Sequence, residues 1–116
     1  MINDIFKRSQ FFTLITELSE NLHHNAVKHG LWDSTNKAEK IALMQSELSE
    51  VLEAVREGGR QIDKHCPYYE KEAVELADVI IRVLDYCHFY CIPIAQAIIA
   101  KAGYNETHPY KHGKAF

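Results

Sequence analysis

Glu47 and Glu50 stand three residues apart in SELSEVLEAVREG, and Glu75 and Asp78 repeat the spacing in ELADVIIRVLDY. Residues three apart are neighbours on a helix surface, and like charges so placed weaken the helix by about 0.2 to 0.5 kcal/mol per pair. If two such helices pack as an antiparallel hairpin, the pairs face each other as a cluster of four carboxylates. Two of these anions roughly 4 Å apart repel by about 4 kcal/mol at an effective dielectric of 20. No nearby set of lysines cancels four of them, whereas a hard divalent cation does. Oxygen-only ligands, with no Cys or His at matching positions, favour Mg²⁺ or Mn²⁺ over zinc, and Mg²⁺ commonly links protein carboxylates to substrate phosphates.

A plainer account is that the acids are the solvated side of amphipathic helices. Asp78 argues against it. Asp is a weaker helix former than Glu by a few tenths of a kcal/mol, roughly, yet it sits inside ADVII, where Glu would be easier. A shorter carboxylate at a fixed place implies a reach requirement.

The elements that must carry these residues read as helices throughout. Gly30, the Gly58-Gly59 pair and Gly103 serve as stops, and Pro67 and Pro93 as first-turn residues. The first helix is expected from Asn3 or Asp4 to Lys28, with Phe11, Leu14, Ile15, Leu18 and Leu22 at helical spacing. Asn36 caps the second, with Glu39 completing a capping box, and Gly58 ends it. The third runs from Pro67 to about Tyr90, and a short fourth from Pro93 to Ala102. An irregular tail, YNETHPYKHGKAF, follows. No alternating strand pattern appears, so the expected class is all-α: an antiparallel bundle of three long helices and a short one.

On the second helix the expected core stripe is Ile41, Met44, Leu48, Val51, Leu52 and Val55, with Leu43, Glu47, Glu50 and Ala54 on a narrow face beside it. On the third, Ala73, Leu76, Ala77, Ile80, Val83, Leu84 and Cys87 form the stripe, opposite Glu75, Asp78, Arg82 and Asp85. Val79, Tyr86 and Phe89 share the acidic side, so that side is not purely a solvent face.

One domain is expected from 116 residues, 47% of them hydrophobic and 25% charged. A net charge of −3 leaves no electrostatic footprint for a nucleic acid polymer or an anionic membrane. The first residues, MINDIFKRSQFF, lack the uninterrupted apolar run of a signal peptide or membrane span, and the expectation is a cytoplasmic protein. Three cysteines, Cys66, Cys87 and Cys91, cannot all pair within one chain and read as reduced thiols. A metal clip at Cys87, His88 and Cys91 competes with the commoner case of cysteine on an apolar face.

Glu47-x-x-Glu50, then 24 residues, then Glu75-x-x-Asp78 resembles the core of the MazG-like, all-α nucleoside triphosphate pyrophosphohydrolases. The strings ALMQSELSEVLEAVREG and KEAVELADVIIRVLDY, and the tail KAGYNETHPYKHGKAF, carry the same resemblance, which covers roughly residues 20 to 116. It implies hydrolysis of a nucleoside triphosphate, often a deoxynucleotide, between the α and β phosphates, giving monophosphate and pyrophosphate. It also implies Mg²⁺ held by Glu47, Glu50, Glu75 and Asp78, with a ligand or a neighbour such as Glu53 taking the proton of water. His23 and Trp32 match positions that enclose the base. Lys101 and Asn105 match positions that face nucleotide, and Lys111 and Lys114 are placed to meet phosphates. Where relatives often carry Arg before the tail proline, this chain has His108. A homodimer or a homotetramer is expected, since a bundle this short leaves apolar stripes to cover.

Two rivals come from other classes. A di-iron bundle wants paired Glu-x-x-His motifs, and the chain offers Glu20-x-x-His23 and Asp85-x-x-His88 without a second Glu-x-x-His. A non-catalytic helical interaction or regulatory module leaves the acids on the surface and needs no divalent ion.

Overall fold

The computed structural model describes residues 2–58, 60–109, 111 and 114–115. Among them lie four helices and no strand: α1 (Ile5–Lys28), α2 (Lys37–Arg56), α3 (Lys71–Phe89) and α4 (Ile94–Glu106). Gly59, expected to share a helix stop, lies outside the described residues, as do Tyr110, His112, Gly113 and Phe116 of the tail.

Local chemistry sets most of the boundaries. Asp4 caps α1 by accepting from the backbone N–H of Phe6 and Lys7 at 2.8 and 3.1 Å. Asn36 caps α2 by accepting from Glu39 N–H at 3.1 Å. The Glu39 carboxylate takes the Ser34 hydroxyl at 3.1 Å, and Ser34 Oγ accepts from Asn36 N–H, so the expected capping box is relayed through Ser34. At the end of α1, Gly30 N–H reaches Val27 O and Leu31 N–H reaches Ala26 O, both at 3.0 Å, which is a Schellman closure. Gly30 supplies the left-handed φ of +81° that this closure requires.

Two expected boundaries are corrected. Pro67 does not open α3. It lies in a turn closed by Tyr69 N–H on Cys66 O at 3.0 Å. Asp63 Oδ1, accepting from His65 and Cys66 N–H at 2.8 Å each, and an isolated antiparallel bridge between Ile62 and Glu70 hold that segment, so the helix begins only at Lys71. Gly103 does not stop α4, which runs to Glu106. An interior glycine costs a helix only about 1 kcal/mol, and the stop is at Thr107, with Pro109 two residues beyond.

α3 is the central element, packing against both α1 and α2, while α4 packs on α1. Pairs along the α2–α3 hairpin show that it is antiparallel: Glu57 with Lys71, Glu47 with Arg82, and the Thr35 carbonyl with Tyr90. The face of α2 turned inward carries Lys40 and Ala54, and that of α3 carries Leu84, Asp85 and Cys87.

The expected core stripes hold in part, since Leu84 and Cys87 of α3 are buried, and are otherwise corrected. Leu48, Leu52 and Val55 of α2, and Leu76 and Ile80 of α3, are exposed, Ile80 by 59%. On α2 the buried apolar residue is instead Ala54, on the narrow face beside Glu47 and Glu50, and α3 buries Asp85 next to Leu84 and Cys87. The radius of gyration, 16.5 Å, exceeds the about 13 Å expected of a compact chain of this length. No large side chain among the described residues is fully buried. No single helix is long and apolar enough to cross a membrane; α3 and α4 pass that test only as a pair bent by 116°.

α3 ends in a second Schellman closure, with Ile92 N–H on Cys87 O at 2.8 Å, but here Cys91 takes the left-handed position at φ +56°. A side chain there costs about 1 to 2 kcal/mol, partly offset by glycine's greater freedom when unfolded. Cys91→Gly is expected to raise stability by roughly 0.5 kcal/mol in urea denaturation; an unchanged or lower midpoint would contradict it.

Candidate metal centre

The antiparallel hairpin sets Glu47 and Glu50 of α2 against Glu75 and Asp78 of α3. One ligand oxygen from each lies within 4.8 Å of the other three. Glu50 is exposed and the other three are partly buried. The set is all oxygen, as a hard divalent ion requires. Among the described residues it is the only such grouping; Cys87, His88 and Cys91 do not form one, and Cys87 is buried while Cys91 is exposed.

Three of the four acids are held above their ordinary values. Burial raises Glu47 first; the hydrogen bond from Arg82 opposes it, and the charges of Glu50 and Asp78 add to it. Glu75 is raised by burial, then by a hydrogen bond with Glu50 and the Glu50 charge. Asp78 is raised by burial and by Glu50, against the opposing charge of Arg82. Each raising cause disfavours the charged carboxylate. Arg82 Nε donates to Glu47 Oε1 at 3.3 Å. Lys71 acts on Glu75 through its charge while its ammonium is bonded to Glu57 at 3.1 Å.

About two turns beyond Asp78 on the same face of α3, Asp85 makes a different site. Only 5% exposed, it accepts from Trp32 Nε1 at 2.9 and 3.0 Å and pairs with His23 Nδ1 at 2.8 Å. The Trp32 ring stacks on Phe89 at 4.2 Å, with the Lys40 ammonium 4.6 Å from the ring centre. Lys40, itself buried, also donates to the Leu31 carbonyl. His23 and Trp32 are thus brought together from α1 and the α1–α2 connector, with Asp85 as their shared partner. Between this site and the quartet a cavity of about 300 Å³ is lined by Asn25, His29, Asp78, Arg82 and Asp85, among others.

Lys101 and Asn105 lie on α4, along a groove that includes Ala97 and Ile98, and the Lys101 ammonium rests 4.6 Å from the Tyr104 ring. Lys111 Nζ donates to the Ala115 carbonyl at 3.3 Å. These three stand on the element whose main neighbour is α1, or beyond it, apart from the hairpin that carries the acids. Glu53 is paired with Arg56 at 3.3 Å on the exposed side of α2.

The residues alone gave Arg82 and Lys40 no role and offered Asp85 only within the di-iron alternative. A second mid-helix aspartate beside Tyr86 and Phe89 was a usable signal for Asp85. Lys40 had none, since its burial depends on where the α1–α2 connector lands. Comparison with protein-family models, curated proteins and solved structures finds no match to this chain.

Raised folded-state values mean that the folded protein holds more protons than the unfolded chain just above the ordinary values of 3.8 for Asp78 and 4.5 for Glu47 and Glu75. The stability owed to these groups therefore falls as pH rises through the folded-state values. In chelator-treated buffer, the melting temperature of Asp78→Asn relative to wild type is expected to increase from about pH 4 to about pH 7. A difference flat across that range would contradict crowding of the carboxylates.

Proposed function

We propose that the chain is a divalent-metal-dependent nucleoside triphosphate pyrophosphohydrolase of the MazG-like kind, cleaving between the α and β phosphates to give a nucleoside monophosphate and pyrophosphate. The observation that carries this reading is the quartet: four carboxylates from two helices, converging within 4.8 Å, three of them raised first by burial and then by one another's charge. Glu47, Glu50, Glu75 and Asp78 would hold Mg²⁺, or Mn²⁺, through oxygen alone. The ion supplies neutralisation of the triphosphate and Lewis acidity toward phosphate oxygen and water.

The protein's own share is positioning. Anchoring two ligands on each of two antiparallel helices fixes the set with little reorganisation, which is where phosphoryl-transfer catalysis gains most. Arg82 holds Glu47, and the 300 Å³ cavity beside Asp78 offers room next to the acids for part of a nucleotide. His23 and Trp32 both bond Asp85, which lines that cavity, and would supply aromatic surface for a base. Lys101, Asn105 and Lys111 would act from α4 and the tail on a neighbouring copy's substrate or at the rim.

Self-association belongs to the same reading. Exposed Leu48, Leu52, Leu76 and Ile80 form an apolar surface on the α2–α3 hairpin that a second copy would cover, giving a homodimer or homotetramer. The same surface supports the competing reading, a non-catalytic interaction module, which predicts no response to metal.

Incubation with Mg²⁺ and a panel of NTPs and dNTPs, with products resolved by ion-exchange chromatography, is expected to yield monophosphate and pyrophosphate. Asp78→Asn and Glu50→Gln are expected to lower kcat/KM at least about 100-fold. Millimolar Mg²⁺ should raise the wild-type melting temperature by roughly 5 °C and leave Asp78→Asn unmoved. Diphosphate and orthophosphate as products would point to other phosphoryl chemistry, and no turnover with no thermal response would favour the interaction module. In sedimentation velocity the wild type is expected as a dimer or tetramer and Ile80→Glu as a monomer; a monomeric wild type would remove the self-association.

A further inference from the structure

Arg82 is a cation built into the edge of an acid cluster that otherwise calls for a metal. Its Nε meets Glu47 Oε1 at 3.3 Å, the two side chains being 25% and 16% exposed. Its charge also acts on Asp78, four residues earlier on α3. One guanidinium thus serves a ligand from each helix. Lys71, at the other end of the quartet, is engaged with Glu57.

A cation in that place has two opposite effects. It supplies part of the charge that the acids need, and so opposes a divalent ion that arrives alone. Toward an ion that arrives with phosphates attached the sign reverses. The anion meets a planar guanidinium with several N–H donors, only one of them used by Glu47, and such forks bind phosphate strongly. Arg82 also lines the 300 Å³ cavity with Asp78, so its side chain borders space outside the quartet as well as the quartet itself.

We propose that Arg82 couples metal to anion: it weakens the quartet's hold on a lone divalent ion and strengthens its hold on an ion carried by a pyrophosphate or triphosphate group, so that the two load together. The inference rests on the quartet being a metal site, as read above. A purely structural Arg82, clipping α2 to α3, would move both affinities the same way.

The test measures Mn²⁺ binding by electron paramagnetic resonance, alone and with inorganic pyrophosphate or an α,β-methylene triphosphate. The variants are Arg82→Gln, Arg82→Met, which keeps an apolar stem in place, and Arg82→Lys, which keeps the charge. The neutral variants are expected to bind Mn²⁺ alone about tenfold more tightly and the Mn²⁺–pyrophosphate complex about tenfold more weakly, with Arg82→Lys closer to wild type in the metal-only measurement. Affinities that move together, or not at all, overturn the coupling. The crossover with pyrophosphate in a protein that turns over no nucleotide would keep the role of Arg82 and remove only the nucleotide substrate. A wild type that binds no Mn²⁺ overturns both.

Discussion

The organisation of this protein depends on which side of α3 faces inward. α3 lies against both α1 and α2, and the side it offers them carries Glu75, Asp78, Arg82 and Asp85 together with Leu84 and Cys87. Turning charged groups toward other helices is unfavourable unless each finds partners, since an unpaired buried ion loses far more in hydration than packing returns. The arrangement persists because the partners are supplied in two different ways along one helix.

At Asp85 the partners are neutral or weakly basic donors. The Trp32 indole and His23 imidazole satisfy the carboxylate from α1 and the connector, and aromatic packing with Phe89 holds the donors in place. This is a closed site. Toward the start of α3 the acids outnumber the donors. Arg82 meets Glu47, Glu75 shares a hydrogen bond with Glu50, and burial still pushes Glu47, Glu75 and Asp78 up. That contrast, on one face of one helix, separates a group used to hold the fold from a group whose charge is left unanswered. Unanswered charge in a converging geometry is what a divalent cation relieves.

Packing through the acidic faces has a second consequence. Leu48, Leu52 and Val55 of α2 and Leu76 and Ile80 of α3 are left outward, and the chain is more extended than a compact one of its length. The quartet and the exposed hairpin surface are therefore two results of one choice of interface. Whatever covers that surface would also stiffen the helices that carry the acids.

The number and character of the helices were legible in the residues: caps at Asp4 and Asn36, glycine at the end of α1, and 3.6-residue periodicity are local signals, and local geometry obeys them. The pairing of Glu47 with Glu50 and of Glu75 with Asp78 was legible too, because i, i+3 spacing places each pair on one face whatever the helix packs against, whereas their convergence needed those two faces to meet. The start of α3 was not, since an Asp63 turn and a bridge at Ile62 outweigh the helix signal of Pro67. Nor was the burial order. Hydrophobic periodicity finds the most apolar face of a helix, but which face meets a neighbour depends on how closely the backbones can approach and on what partners the polar groups find there. The sequence alone determined the helices and the paired acids; only the tertiary structure decided that the acidic side of α3 turns inward, because that outcome rests on contacts between residues as far apart as His23 and Asp85.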